Sequence, residues 1–154
     1  LGFGGIPIQR IDAAGTKKLM HQLMEAGVNY IDTARGYTVS EEYLGYGLEG
    51  IRDQFVIATK SMARTKEAMA ADIETSLKNL RTDYIDLYQI HNPDMKEYEQ
   101  IIAPGGALEA MKEAKAQGIE TMTPSELAHM RELERNAIKK NKGRSDHAES
   151  QTSG

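Results

Sequence analysis

The sequence has no cysteine among its 154 residues. That absence excludes disulfides, thiolate zinc sites, iron–sulfur clusters held by thiolates and cysteine nucleophiles. It fits a reducing compartment, and a cytoplasmic location is the expectation. An excess of positive charge is missing too. Nineteen Lys+Arg stand against 23 Asp+Glu, for a net charge of -4, so the basic footprint of a nucleic-acid binder is not there. No apolar run approaches the ~18 residues of a membrane span, and no membrane partner is expected. The first residue is Leu1 rather than methionine, so the N-terminus gives no reading of targeting. What remains, 40% hydrophobic and 27% charged, is the balance of an ordinary globular chain.

Segments alternate in type as far as Gly118. Leu1–Gly5 is a short apolar stretch that ends in glycines. Asp12 caps a predicted helix reaching about Ala26, with Leu19, Met20, Leu23 and Met24 on one side and Gly27 as the stop. Val28–Asp32 reads as a strand. Ser40 is expected to cap a shorter helix carrying Tyr43, Leu44 and Leu48. Phe55–Thr59 is the next strand, rich in β-formers. Thr65 opens a helix in which Met69, Ile73, Leu77 and Leu80 recur at helical spacing, and Tyr84–Ile90 is a further strand. Gly105-Gly106 precede a helix through Leu108, Met111 and Ala114, ended by Gly118. Strands alternating with helices imply a parallel sheet with crossover helices, an α/β fold. Beyond Gly118 the rhythm stops. Thr123-Pro124-Ser125-Glu126 reads as a capping box opening a helix within 120–140. The polar stretch 141–154 reads as a disordered tail.

In parallel α/β folds, sites form at the C-terminal ends of strands. One apolar run ends in Asp32 with Tyr37 close behind, the next in Lys60, and the next in His91. Each alone has a bland explanation: a turn aspartate, a packing tyrosine, a solvated lysine, a turn histidine. Their equivalent placement in successive βα units gives them a joint meaning. A tyrosine hydroxyl, with an ordinary pKa near 10, is a poor acid near neutrality. An adjacent ammonium stabilises its phenolate, and a carboxylate holds that ammonium charged and in place. A histidine beside them can orient a carbonyl. Such a group can protonate oxygen as hydride reaches carbon. No side chain supplies hydride, so a nicotinamide cofactor is implied.

The stretch Asn29-Tyr30-Ile31-Asp32-Thr33-Ala34-Arg35-Gly36-Tyr37, with Ser40-Glu41-Glu42, resembles the signature of the aldo-keto reductases. Leu1-Gly2-Phe3-Gly4-Gly5 is similar to their first barrel strand, Ile57-Ala58-Thr59-Lys60 to their lysine strand, and Leu80–His91 to the strand ending in the family histidine. The resemblance covers about residues 1–119, one N-terminal half of a (β/α)8 TIM barrel. It implies NADP(H)-dependent, or NAD(H)-dependent, reduction of an aldehyde or ketone. Tyr37 would be the general acid, Lys60 and Asp32 its tuning pair, and His91 the substrate-orienting group. Gly4, Gly5, Asp32 and Thr33 would lie near the nicotinamide ribose.

A complete barrel needs roughly 250 residues, and strands five to eight have no counterpart here. About four βα units plus a C-terminal helix are therefore expected. Four strands leave two open sheet edges, with an inward face of Tyr30 or Ile31, Val56 or Ile57, and Ile85 or Leu87. Self-association through that open half barrel, or instability of the chain alone, is expected. The alternative function is a catalytically inactive segment that serves as a binding or regulatory subunit. No metal site is expected, since His91 and Asp32 have no third ligand near in sequence and His21, His129 and His147 fall on helix or tail positions. Met20, Met24, Met62, Met69, Met111 and Met130 read as core fillers. Arg35 and Arg64 read as solvated charges near the rim.

Overall fold

The computed structural model describes residues 1–119. The helix expected within 120–140 and the tail expected over 141–154 lie outside the described residues. The elements follow one another as β1 (Gly2–Gly4), α1 (Ala13–Glu25), β2 (Tyr30–Asp32), α2 (Ser40–Gly47), β3 (Val56–Ser61), α3 (Lys66–Leu80), β4 (Leu87–Ile90), α4 (Met95–Ile102) and α5 (Ala107–Ala116). Single 3-10 turns at Ile6–Arg10 and Arg52–Gln54 fill the gaps. The strands lie in sequence order, β1-β2-β3-β4, and every neighbouring pair is parallel. Helices make the crossovers, so the described residues form four βα units of a partial barrel.

Local chemistry sets the boundaries. The Asp12 side chain accepts the Gly15 amide at 2.7 Å and starts α1, and Gly27 at φ +76° ends the turn that follows it. Thr65 caps α3 through the Ala68 amide. At the far end of α3, Arg81 takes the left-handed conformation at φ +52°. β4 is shorter than the apolar run from Tyr84 predicts. The Asp86 carboxylate, not a backbone carbonyl, takes the Ile57 amide at 2.9 Å, so a side chain replaces the ladder until Leu87. α4 is an element the apolar pattern does not reveal. Asp94 and Glu97 close a reciprocal capping box at its start, which satisfies two otherwise orphaned amides.

The sheet has two unlike faces. Ile31, Ile57 and Tyr88 belong to the core that Met20, Leu44, Met69, Ile73 and Leu80 build from the helices. Tyr30, Val56 and Lys60 alternate with them and are only partly buried. The inward face of the half barrel is therefore Tyr30, Val56 and Leu87. Met20, Met69 and Met111 fill the core as expected, but Met62 is 64% exposed and does not; Met130 lies outside the described residues. No helix among the described residues is long and apolar enough to cross a membrane.

Candidate active site

Asp32 is the last residue of β2, Lys60 lies near the end of β3, and His91 follows β4 directly. Parallel strands bring all three to one rim. Tyr37 reaches the same rim from the β2–α2 loop. That loop is a pair of tight turns, in which the Tyr37 amide donates to the Ala34 carbonyl at 3.0 Å and the Ser40 amide to the Tyr37 carbonyl at 2.8 Å. The Lys60 ammonium forms an ion pair with Asp32 and donates to the Thr33 carbonyl at 2.7 Å. Its nitrogen lies 5.5 Å from the centroid of the Tyr37 ring. The Tyr37 and His91 rings meet edge to face, with centroids 6.0 Å apart and planes at 83°. His91 is fixed by its backbone, whose amide donates to Ser61 at 2.8 Å and whose carbonyl accepts from Arg64 at 2.9 Å. Its Nδ1 is buried with no hydrogen-bond partner among the described residues. The four residues singled out for chemistry thus stand in one cluster.

The residues singled out for a cofactor divide into two pairs. Gly4 is exposed, and a Cβ there would meet nothing within 4 Å. The Asp32 side chain is 39% exposed beside it. Gly5 and Thr33 lie underneath. A Cβ on Gly5 would come within 2.8 Å of Ser40 Oγ, its amide donates to Asp32 at 2.7 Å, and its carbonyl accepts from Ser40 at 3.0 Å. Thr33 is fully buried and its hydroxyl is 2.8 Å from that of Ser40. Ser40 is therefore no helix cap. Val39 takes that position, and Ser40 locks the end of β1 to the end of β2. Among the described residues no group of three or more His, Asp or Glu side chains could hold a metal ion.

Charges read as solvated turn out to be structural. Arg35 pairs with Glu41 at 2.8 Å and lies 3.7 Å from Asp72. Burial works against its charge, but the Glu41 hydrogen bond and the two carboxylates more than offset that, so the guanidinium is held above its ordinary value. Arg64 pairs with Glu97 at 3.1 Å and so ties α4 to the His91 backbone. Glu41 was missed as a chemical residue by reading the sequence, yet it is 1% exposed. The signal available was a glutamate in the first turn of a helix that follows an arginine by six residues.

An all-parallel β/α arc, with an ion-paired lysine, a tyrosine and a histidine gathered at its strand ends, defines part of a β/α barrel. The aldo/keto reductase family model matches residues 1–143, and the chain belongs to that family. It is 40% identical over 85 residues to aldo-keto reductase YhdN of Bacillus subtilis (strain 168), covering 46% of this chain and 26% of that protein. Among solved structures, the holo form of aldo-keto reductase AKR11C1 from Bacillus halodurans superposes with a TM-score of 0.66 at 32% identity, over 77% of this chain and 43% of that one. The aldo/keto reductase from Klebsiella pneumoniae, solved in complex with NADP and acetate, gives a TM-score of 0.63 at 29% identity, over 76% of this chain and 41% of that one. The chain spans less than half the length of each of these relatives.

Proposed function

We propose that the chain carries the proton-donating site of an NAD(P)H-dependent reductase of aldehydes or ketones. The observation that supports this most strongly is the Lys60 ammonium, ion-paired to Asp32 and 5.5 Å from the Tyr37 ring. The residues at the rim suit a nicotinamide nucleotide: the exposed end of β1 at Gly4 leaves open space where any side chain would stand, and Asp32 offers a carboxylate to a ribose hydroxyl. Gly5 and Thr33 support that floor rather than touch a ligand, because their polar groups are already bonded. NADP(H) is the preferred form, since the Klebsiella pneumoniae relative was solved with NADP; NAD(H) is the second choice. When bound, the nicotinamide supplies hydride to the carbonyl carbon. His91, whose ring meets that of Tyr37 edge to face, orients the carbonyl oxygen. Tyr37 gives its proton to that oxygen, Lys60 stabilises the charge left on the phenol, and Asp32 holds Lys60. Solvent returns the proton to Tyr37. The chain is further proposed to act in the cytoplasm and to pair with a second copy through β1 and β4, the outermost strands among the described residues.

The second reading is a binding or regulatory segment without turnover. Two measurements separate the readings. NADPH fluorescence should be quenched on titration with the wild-type chain, and an aldehyde probe should be reduced. Tyr37→Phe should lose about 10²–10⁴ of that rate, the usual contribution of a general acid, and keep the quench. Turnover unchanged in Tyr37→Phe would remove tyrosine from the acid role. Absence of quench in the wild type would leave the regulatory reading.

A further inference from the structure

Lys60 stands on a strand between two residues that point the other way. Thr59 donates to Glu41 Oε1 at 2.7 Å, and Ser61 donates to Asp72. Arg35 joins those two carboxylates, at 2.8 Å to Glu41 and 3.7 Å to Asp72. Its own backbone amide donates to the Lys60 carbonyl at 2.8 Å. A ring of side chains therefore holds both neighbours of Lys60, a backbone amide holds its carbonyl, and Arg35, two positions before Tyr37, supplies both that amide and a member of the ring.

Glu41 is the hub of this ring. Besides Arg35 and Thr59 it accepts from Ser76 at 2.8 Å and from Asn79 at 3.4 Å, both on α3. A carboxylate 1% exposed is costly to bury, and here it is matched by one cation and three neutral donors. Its place in the first turn of α2 also suits a negative charge. Simple stabilisation of the helix would need neither the Tyr37 loop nor the lysine strand as partners. Glu41 takes both.

We propose that Glu41 is a positioning residue: through Arg35 and Thr59 it sets the placement of Tyr37 against Lys60, although it touches neither. The proposal rests on the reading of Tyr37 and Lys60 as the working pair. Placement matters here because a displacement of about 1 Å in a reacting group, caused from a distance, can cost on the order of 100-fold in rate. Glu41→Gln keeps the size of the side chain but turns a donor toward Arg35. Arg35 then swings away, and the loop it shares with Tyr37 loosens from β3.

The test uses the full chain and reads geometry directly. Nuclear Overhauser cross-peaks between the Tyr37 ring and the Lys60 ε-methylene, assigned with Tyr37→Phe and Lys60→Met, should be present in the wild type and lost in Glu41→Gln. Thr59→Val, which removes one donor and leaves the strand intact, should weaken them. Ile73→Ala, a core truncation on α3, should retain them, which a general loss of packing would not allow. If Glu41→Gln does not fold, Thr59→Val decides. Cross-peaks of wild-type intensity in a folded Glu41→Gln or in Thr59→Val, or their equal loss in Ile73→Ala, overturn the proposal. Failure of the wild type to reduce a carbonyl would count against the reading of the site and would leave this geometric result standing.

Discussion

Tyr88 is fully buried, with its hydroxyl 3.3 Å from that of Ser76. Burial pushes its phenol above the ordinary range, with the Ser76 hydrogen bond acting the other way. The unfolded chain therefore gives up this proton first as pH rises, and binds fewer protons than the folded one. Stability from this group is complete below the ordinary tyrosine value of about 10 and falls as pH climbs above it. Lys66 acts in the same direction, because the hydrogen bonds it donates to Glu113 and Glu109 hold its charge above the usual lysine range. Urea midpoints taken from roughly pH 9 to pH 11 should fall with pH, and Tyr88→Phe should make the slope shallower. An unchanged slope in that variant would exclude Tyr88 as its source. At this scale the sequence is uneven. Asp32, Lys60 and His91 could be read because apolar β-formers stop at each of them. Glu41 could not, because three of its donors, Thr59, Ser76 and Asn79, come from other elements, and only Arg35 is near in sequence.

Elements were legible where a stripe and a cap agreed, as in α1 and α3, and less so where a side chain took over a backbone role. Asp86 shortened β4, Ser40 gave up a cap to bind the sheet, and α4 depended on a capping box. The packing of α2 on α3 was not legible at all, although one residue controls it. A Cβ on Gly45 would lie 2.1 Å from the Asn79 carbonyl oxygen and 2.8 Å from the Leu80 carbonyl carbon. Both are backbone atoms of α3 and its end, so neither can turn aside. Alanine would improve intrinsic helix propensity by about 1 kcal/mol. Overpacking of this kind typically costs about 1–3 kcal/mol, and the depth of the overlap favours the upper end. Gly45→Ala should therefore lower the urea midpoint. A midpoint equal to or above the wild type would show that α2 is free to move away from α3.

For the molecule as a whole, the sheet order places β1 and β4 outermost, each with one strand partner among the described residues. A sheet edge exposes unpaired N–H and C=O groups, and barrels remove such edges by closing. The face that would line a closed barrel carries Tyr30 and Val56, both only partly buried. Because every strand runs the same way, β4 of one copy can continue in parallel into β1 of another, and the reverse contact follows from two-fold symmetry. Two such arcs supply eight parallel strands, the number at which side chains fill a barrel interior. The 154-residue polypeptide should therefore sediment above the mass of one chain, with the heavier fraction growing as concentration rises. Val56→Lys puts a charge on the shared face and should shift the population toward single chains, since an ammonium buried without a partner opposes association. A single species of one-chain mass across concentrations, with cooperative unfolding, would mean that the open face is covered within one chain.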